Sequence, residues 1–508
     1  MKLRNLIENS LSSVIVPAVK IVLTFIMSPL IVRALGNYDY GILEMVFAVV
    51  GYMGILDLGL MPAIVRYVAR HQALEDRAEL NKIYSSAMAF LFPVGLAMAL
   101  VLLAIALWAP HLILKGAVAG EHQKYFIFLL LVAAQTFVTF TGSLFDCFLE
   151  GFQQYKIRNY ATVFMSIAGA LVMYPLLKSG GGLITVAVVN TAGYAIKFAF
   201  YGIMVGTRRY GGFRFRFADT SYATLKGMFS FGFKSLIYAI SLRISTVTDS
   251  LVIGAFLGPA VVTLYIIPYN FVAQLRTFVW ALSRNFMPLF SELDALGEKA
   301  YARSIYFGAS RFMVGMILPF IIGIVILGPS FLEYWMGPEY AQSGRVVLYI
   351  IAAASTMQWF NPFSNRLLTG YNQHGIMARL GVISSLINLS LSLILVQFLG
   401  KEGVALGTLL PTLVFEPLLL YKTCKVLEVS AGYYLRQVLV PVIFPVIVIT
   451  AALWIMLRYY SPESLLQVIF IATAGMLLYL PTFFRFSLSS DERRLVLSKI
   501  GLQPAVLS

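Results

Sequence analysis

Two cysteines in 508 residues, Cys147 and Cys424, exclude a disulfide framework and a thiolate metal cluster. Histidine is nearly as scarce: His71, His111, His122 and His374 fall in expected loops, without the spacing of a metal ligand set. No GxxxxGK[ST], HExxH or GxSxG string occurs, and the short outer loops expected below have no room for a catalytic domain, so the chain is not expected to be an enzyme. Charge is also in short supply. Only 12% of the residues are charged against 59% hydrophobic, and the mean hydropathy of +0.83 is far above what a soluble fold of this length carries. Soluble enzymes, nucleic-acid modules and disordered scaffolds are therefore set aside in favour of a polytopic membrane protein.

Apolar runs of about 20 residues, the length that crosses a bilayer as a helix, recur from end to end. Reading them between polar breaks predicts fourteen spans, at 11–32, 40–65, 83–109, 125–147, 159–177, 183–205, 230–256, 261–288, 304–328, 345–367, 376–399, 403–421, 437–457 and 464–484. Pro17 and Lys20 interrupt the first run, which is kept as a span and not taken for a signal peptide. With the N-terminus placed inside, 26 Lys and Arg fall on the cytoplasmic side and 7 outside, so the positive-inside rule puts both termini in the cytoplasm. The formal net charge of +15 is thereby explained by orientation against anionic inner-leaflet lipid, and no nucleic-acid partner is implied.

The chain also resembles itself. Leu35-Gly36 after the first span returns as Leu257-Gly258 after the seventh, 222 residues on; GFQQYKI at 151–157 returns as GYNQHGI at 370–376, 219 on; and Gly182 matches Gly403, 221 on. Three matches in one order divide the chain into six spans, six spans and two more: 1–215 as an N-terminal six-helix lobe, 216–430 as a C-terminal one, and 431–508 as two added helices and a cytoplasmic tail. Six is even, so the repeats are parallel, the arrangement of alternating-access transporters with a cavity lined by both halves.

With Lys234, Arg284, Arg345, Arg366 and Arg379 near span ends counted among the loop cations, five basic residues remain within spans: Lys20, Lys197, Arg243, Arg276 and Arg311. A basic side chain at mid-bilayer costs about 2.5–3.5 kcal/mol on insertion scales, so it is kept where water, a counter-charge or a substrate meets it. Lys20 and Arg243 are one residue from equivalence under the repeat and are expected to face one another, with Arg276 beside them. The seventh span has seven polar residues in ten over 241–250, Arg243 and Asp249 included, too many for a helix facing lipid. Set against the acids Asp57, Asp249 and Glu416, the five cations leave a surplus of two, which suits an anionic ligand. The alternative is internal pairing, Arg243 with Asp249 or Lys20 with Asp57, holding helices in register. For Lys197 and Arg311, nearer span ends or on less polar helices, snorkelling to the interface competes with ligand contact. Asp57, Asp249 and Glu416 are candidate ion-coupling sites, because desolvation favours a bound proton on a carboxylate.

RALGNYDYG at 33–41, GLMPAIVRYVAR at 59–70 and the paired GFQQYKI and GYNQHGI loops resemble the Wzx-type oligosaccharide flippases of the polysaccharide transporter family, grouped with lipid II flippases and MATE drug exporters in the MOP superfamily. The resemblance covers the whole chain through its layout of six, six and two spans. It implies an all-α polytopic fold of about fourteen transmembrane helices, two parallel six-helix repeats forming a V-shaped bundle plus two C-terminal helices. It further implies translocation of an undecaprenyl-diphosphate-linked oligosaccharide from the inner to the outer leaflet of the bacterial cytoplasmic (inner) membrane, for cell-surface polysaccharide biosynthesis. Alternating access would drive it without a cofactor, through H+ or Na+ coupling. The implied partners are that lipid-linked oligosaccharide, membrane lipid, and a polysaccharide polymerase and glycosyltransferases. Basic residues in central helices are the family's expected contacts to diphosphate or acidic sugar, which matches the position of Lys20, Arg243 and Arg276. The other readings are a MATE-like ion-coupled exporter of small organic molecules, for which a negative cavity is expected, and a non-catalytic membrane subunit of a polysaccharide-assembly complex.

Overall fold

Inside a bilayer an apolar segment satisfies its own backbone only as a helix or in a closed barrel, and in this chain the apolar runs are helices. The computed structural model describes residues 2–108, 121–207, 212–283, 286–490 and 492–494. Lys115, Arg208, Arg209, Arg284 and Lys499, all counted among the loop cations, and His111 lie outside the described residues. The first half comprises α1 (Lys2–Met53), α2 (Leu60–Ala73), α3 (Arg77–Trp108), α4 (His122–Gly151), α5 (Tyr155–Lys178) and α6 (Leu183–Gly206). It is followed by α7 (Tyr222–Leu257), α8 (Pro259–Ser283), α9 (Phe286–Ala295), α10 (Lys299–Trp335), α11 (Pro338–Trp359), α12 (Ser364–Gly370) and α13 (His374–Val426). A short α14 (Ala431–Tyr434) and a π-helical turn (Leu435–Leu439) lead into α15 (Val440–Tyr459) and α16 (Leu465–Phe486).

Among the described residues ten helical stretches are long and apolar enough to cross a membrane. Two of them hold two predicted spans each: α1 is interrupted at Gly36 (φ 75°, ψ 169°) and α13 at Gly400 (φ 62°, ψ −141°), conformations that only glycine adopts without strain. The predicted seventh and eighth spans are α7 and α8. The structure corrects two spans. The second is not one helix to residue 65: α1 stops at Met53, a 3₁₀ turn covers Gly54–Asp57, Leu58 (φ 50°) and Gly59 (φ 76°) are left-handed, and α2 restarts at Leu60. The tenth breaks between α11 and α12, where Pro362 denies the helix a backbone donor.

The internal repeat is visible in backbone conformation. Gly258 (φ 91°, ψ 163°) repeats the geometry of Gly36. In the first of the paired loops Gln153 is left-handed (φ 58°) and the Gln154 amide donates to Leu149 O at 2.8 Å; in the second Asn372 is left-handed (φ 53°) and the Gln373 amide donates to Leu368 O at 2.7 Å. Each loop glycine is demanded by close packing. A Cβ on Gly151 would stand 3.2 Å from Val65 O, and one on Gly370 would stand 3.1 Å from Met287 O, 222 residues further on.

The chain divides into two units, Met1–Thr263 and Leu264–Ser508. In the first, α4 packs between α3 and α6, α1 lies against α5 and α7, and the core holds Leu60, Ile64, Leu91, Leu144, Phe148 and Tyr201. In the second, α11 packs on α10 and α13, while α15 and α16 seal onto α10, with the Tyr479 hydroxyl donating to Gly315 O at 2.6 Å. The repeat extends past its sixth helix. Phe213, beyond α6, is buried with its ring 6.2 Å from Tyr84 of α3; Tyr434, beyond α13, is buried 5.6 Å from Tyr306 of α10. The Tyr434 hydroxyl donates to Phe360 O at 2.6 Å, so Tyr434→Phe leaves that carbonyl short of a partner and should cost about 1–2 kcal/mol. The check is the apparent melting temperature in detergent, where an unchanged value would contradict the assigned bond.

Candidate functional site

Much of the polar run on α7 faces protein, as a helix too polar for lipid must: Ser241, Thr248, Asp249 and Ser250 are buried, whereas Arg243 is exposed. α7 lies against α1 and α2, and small residues set the distance between them. Gly51 brings the α1 backbone down on Val247, whose Cγ1 is 3.3 Å from the place a Cβ would take. Tyr52 and Thr248 bond through their hydroxyls, and the charge of buried Asp249 acts on Tyr52.

Arg243 lies at this seam. Its Nη1 is 3.9 Å from the Cβ position of Gly51 and its Nη2 is 3.7 Å from that of Gly54, so the exposed guanidinium lies over both glycines beside the 3₁₀ turn. That turn carries Asp57, and the charge of Arg243 acts on its carboxylate. Asp57 Oδ1 accepts the Gly59 amide at 2.9 Å, the short-range bond that fixes the turn. Behind it opens a cleft of about 180 Å³ lined by Val50, Gly54, Asp57, Met61, Met98, Thr136, Thr139, Phe140 and Ser143. Its hydroxyls give their protons to helix carbonyls: Thr136 to Val132 O (2.8 Å), Thr139 to Thr136 O (3.1 Å) and Ser143 to Phe140 O (2.5 Å). Among Val50, Met61, Met98 and Phe140 the Asp57 carboxylate is the charged group of this largely apolar cleft, and the one able to take up a proton or a small cation.

Lys20 and Lys197 are a separate group in the same unit. The charge of Lys20 on α1 acts on Lys197 of α6, as do those of Arg158 and Asp146. Lys197 is half-buried under rings of its own helix, its Nζ 4.2 Å from the centre of Phe198 and 5.2 Å from that of Tyr194. Arg158 bridges Asp146 and Glu150 at 2.8 Å each. Lys20 and Arg243, expected to face one another, are thus engaged with different neighbours.

In the second unit Arg276 donates to the Tyr269 hydroxyl at 3.4 Å. Arg311 is held by Glu492 at 2.5 Å and by Gln437 O at 3.4 Å. Glu416, half-buried, is met by Asn361 at the α11–α12 break, whose amide donates to Glu416 O at 3.1 Å. Among the described residues no group of three or more His, Cys, Asp and Glu is placed to hold a metal ion. His71 is in the last turn of α2, 3.6 Å from Asp76, and not in a loop.

Several residues escaped the sequence reading. Glu44, within the predicted second span, hydrogen-bonds to Tyr40 and lowers the cationic surplus of two by one. Asp146 also lies within a predicted span but is taken up by Arg158. Both were visible as acids inside apolar runs. Trp280, 49% exposed and one turn beyond Arg276, carries the Arg366 guanidinium 5.6 Å over its ring, and Arg366 had been assigned to a loop. The RALGNYDYG string proves to be a clamp: Asp39 accepts the Tyr125 hydroxyl at 2.9 Å and pairs with Lys124 at 2.6 Å, while Thr263 donates to Asn37 O at 2.6 Å.

The sequence profile of a family described as "polysaccharide biosynthesis protein" matches residues 6–294. A protein of Haloferax volcanii named as a low-salt glycan biosynthesis flippase is 25% identical over 190 residues, which are 37% of this chain and 40% of that relative's length. A protein of Shigella flexneri named as an O-antigen transporter is 23% identical over 356 residues, 68% of this chain and 80% of that one. The structure of a MATE family multidrug resistance transporter of the MOP superfamily, facing inward, superposes with a TM-score of 0.67 at 14% identity, covering 82% of this chain and 98% of its own; the likeness is one of fold.

Proposed function

The chain belongs to the polysaccharide biosynthesis protein family, and from that premise we propose that it flips undecaprenyl-diphosphate-linked oligosaccharide from the inner to the outer leaflet of the bacterial cytoplasmic membrane by alternating access. The fold and the family are those of a transporter and not of an enzyme. The observation that carries the substrate reading is Arg243, whose exposed guanidinium lies over Gly51 and Gly54 at a broken membrane helix. A guanidinium presents a planar fork of donors that matches two oxygens of a phosphate.

Arg243 and Arg276 then serve as diphosphate ligands, with Lys20 adding positive potential; Lys197 and Arg311, already met by aromatic rings and by Glu492, act at longer range. Asp57, the charged residue of its cleft, is the leading coupling site for H+ or Na+, with Asp249 and Glu416 as the others. An ion biases the cycle only by binding one state better than the other, and full reversal of a two-state equilibrium from 1:99 to 99:1 takes about 5.5 kcal/mol of such difference. Both termini lie in the cytoplasm, and the duplication divides the chain at 1–215, 216–430 and 431–508. Glycosyltransferases supply the substrate and a polymerase takes the product.

The test is transfer of a fluorescent undecaprenyl-diphosphate oligosaccharide across proteoliposomes of the wild-type protein, under a proton or sodium gradient. Transfer that follows one of the gradients is expected. No transfer under either gradient, together with efflux of a cationic dye, would move the protein to drug export.

A further inference from the structure

The chain joining α6 to α7 is unlike a loop left to solvent. Over 212–221 its backbone is tied to the start of α3: the Arg214 amide donates to Asn81 Oδ1 at 3.4 Å, the Arg216 amide to Ser85 Oγ at 3.3 Å and the Ser221 amide to Ser86 Oγ at 2.8 Å. Phe213 plugs the core, and Ser221 caps α7 by accepting the Thr224 amide at 3.2 Å. With the backbone fixed, the remaining side chains have little choice of direction. Arg214, Phe215, Arg216 and Phe217 are exposed, as are Tyr222 and Lys226 in the first turns of α7. Phe217 is 78% and Tyr222 80% exposed, and Phe215 meets Phe217 edge to face at 6.3 Å.

The nearest acids are half-buried and already engaged. Asp219 is bonded to Asn81; Glu79 accepts the Thr224 hydroxyl at 3.3 Å and pairs with Lys82 at 3.2 Å. A surface with three outward cations, three outward aromatic rings and its nearest carboxylates tied up fits a water interface poorly. It fits the headgroup layer well, where ring faces meet the acyl boundary and guanidinium or ammonium groups meet phosphate. Its place agrees, because the segment joins the end of one membrane helix to the start of the next, beside the first turns of a third.

We propose that this strap is a binding site for anionic phospholipid headgroups, with Arg214, Arg216 and Lys226 as phosphate ligands and Phe215, Phe217 and Tyr222 as the interfacial anchor. The site stands independently of the transported substrate. Because Ser221 is both the end of the strap and the cap of α7, lipid held there steadies the helix that carries Arg243.

The experiment uses the full chain in detergent micelles titrated with phosphatidylglycerol or with phosphatidylcholine, read by native mass spectrometry. Wild type should retain phosphatidylglycerol selectively, and the triple variant Arg214→Gln, Arg216→Gln, Lys226→Gln should bind it about a hundredfold more weakly, at about fivefold per cation, with phosphatidylcholine unaffected. A folded triple variant that keeps wild-type phosphatidylglycerol selectivity overturns the proposal. Should the triple variant not fold, Phe217→Trp in liposomes decides: quenching by brominated phosphatidylglycerol beyond that by brominated phosphatidylcholine supports the site. Emission typical of water with no quenching, or protection by polyglutamate instead of lipid, places the strap against solvent or an acidic protein and refutes it.

Discussion

Arg243→Ala should lower transfer of lipid-linked oligosaccharide by about tenfold to a hundredfold, since a hydrogen bond to a charged group is worth about 1.5–3 kcal/mol and about 1.4 kcal/mol is a factor of ten. The effect is expected because the guanidinium is exposed over Gly51 and Gly54, where a ligand can reach it. Arg243→Lys restores charge without the planar fork and should recover only part of the rate. Proteoliposome transfer, normalised to monodisperse reconstituted protein, reads both variants. Wild-type transfer by Arg243→Ala would show that Arg243 only balances Asp57 and would return the anionic site to Arg276 and Lys20.

Gly41→Ala should remove the folded protein. A Cβ there would collide with the carbonyl carbon and oxygen of Pro259, which are backbone atoms at the start of α8 with no rotamer to escape by. The Thr263–Asn37 bond and the Asp39–Lys124 pair hold both partners in place, so relief requires parting α1 from the start of α8. Overpacking of flexible side chains costs about 1–3 kcal/mol; backbone against backbone should exceed that and consume much of a stability of about 5–15 kcal/mol. Gly169→Ala is the control, because nothing stands within 4 Å of its Cβ position. A Gly41→Ala protein with wild-type yield and melting temperature would mean that the contact between Gly41 and Pro259 opens readily.

The span positions, the duplication and the polar character of α7 were legible because each follows from composition along one helix. Interruptions within spans were harder to see. The hydropathy of GILDLGL carries straight through the turn that ends α1, and a left-handed leucine at 58 leaves no mark in sequence. Fates of the cations divide by range. The cage of Lys197 lies at positions −3, +1 and +4 on its own helix and was readable in principle, whereas the partner of Arg311 is 181 residues away. The motif that carried the family resemblance was legible as a string, but its work, clamping helix ends through Asp39 and Asn37, depends on Lys124, Tyr125 and Thr263, which no local pattern links to it.

The rings of Phe213 and Tyr434 bear on how the protein can be cut. A split chain severed at the end of α6, the natural place if the duplicated module were six helices alone, would deprive the first fragment of its stopper and leave the faces of Tyr84, Phe148 and Phe152 bare. Fragments for separate expression, chimaeras between relatives and circular permutants therefore have to keep the returning tail, and with it Leu225, Met228 and Phe229 of α7 in the same core, joined to the first six helices.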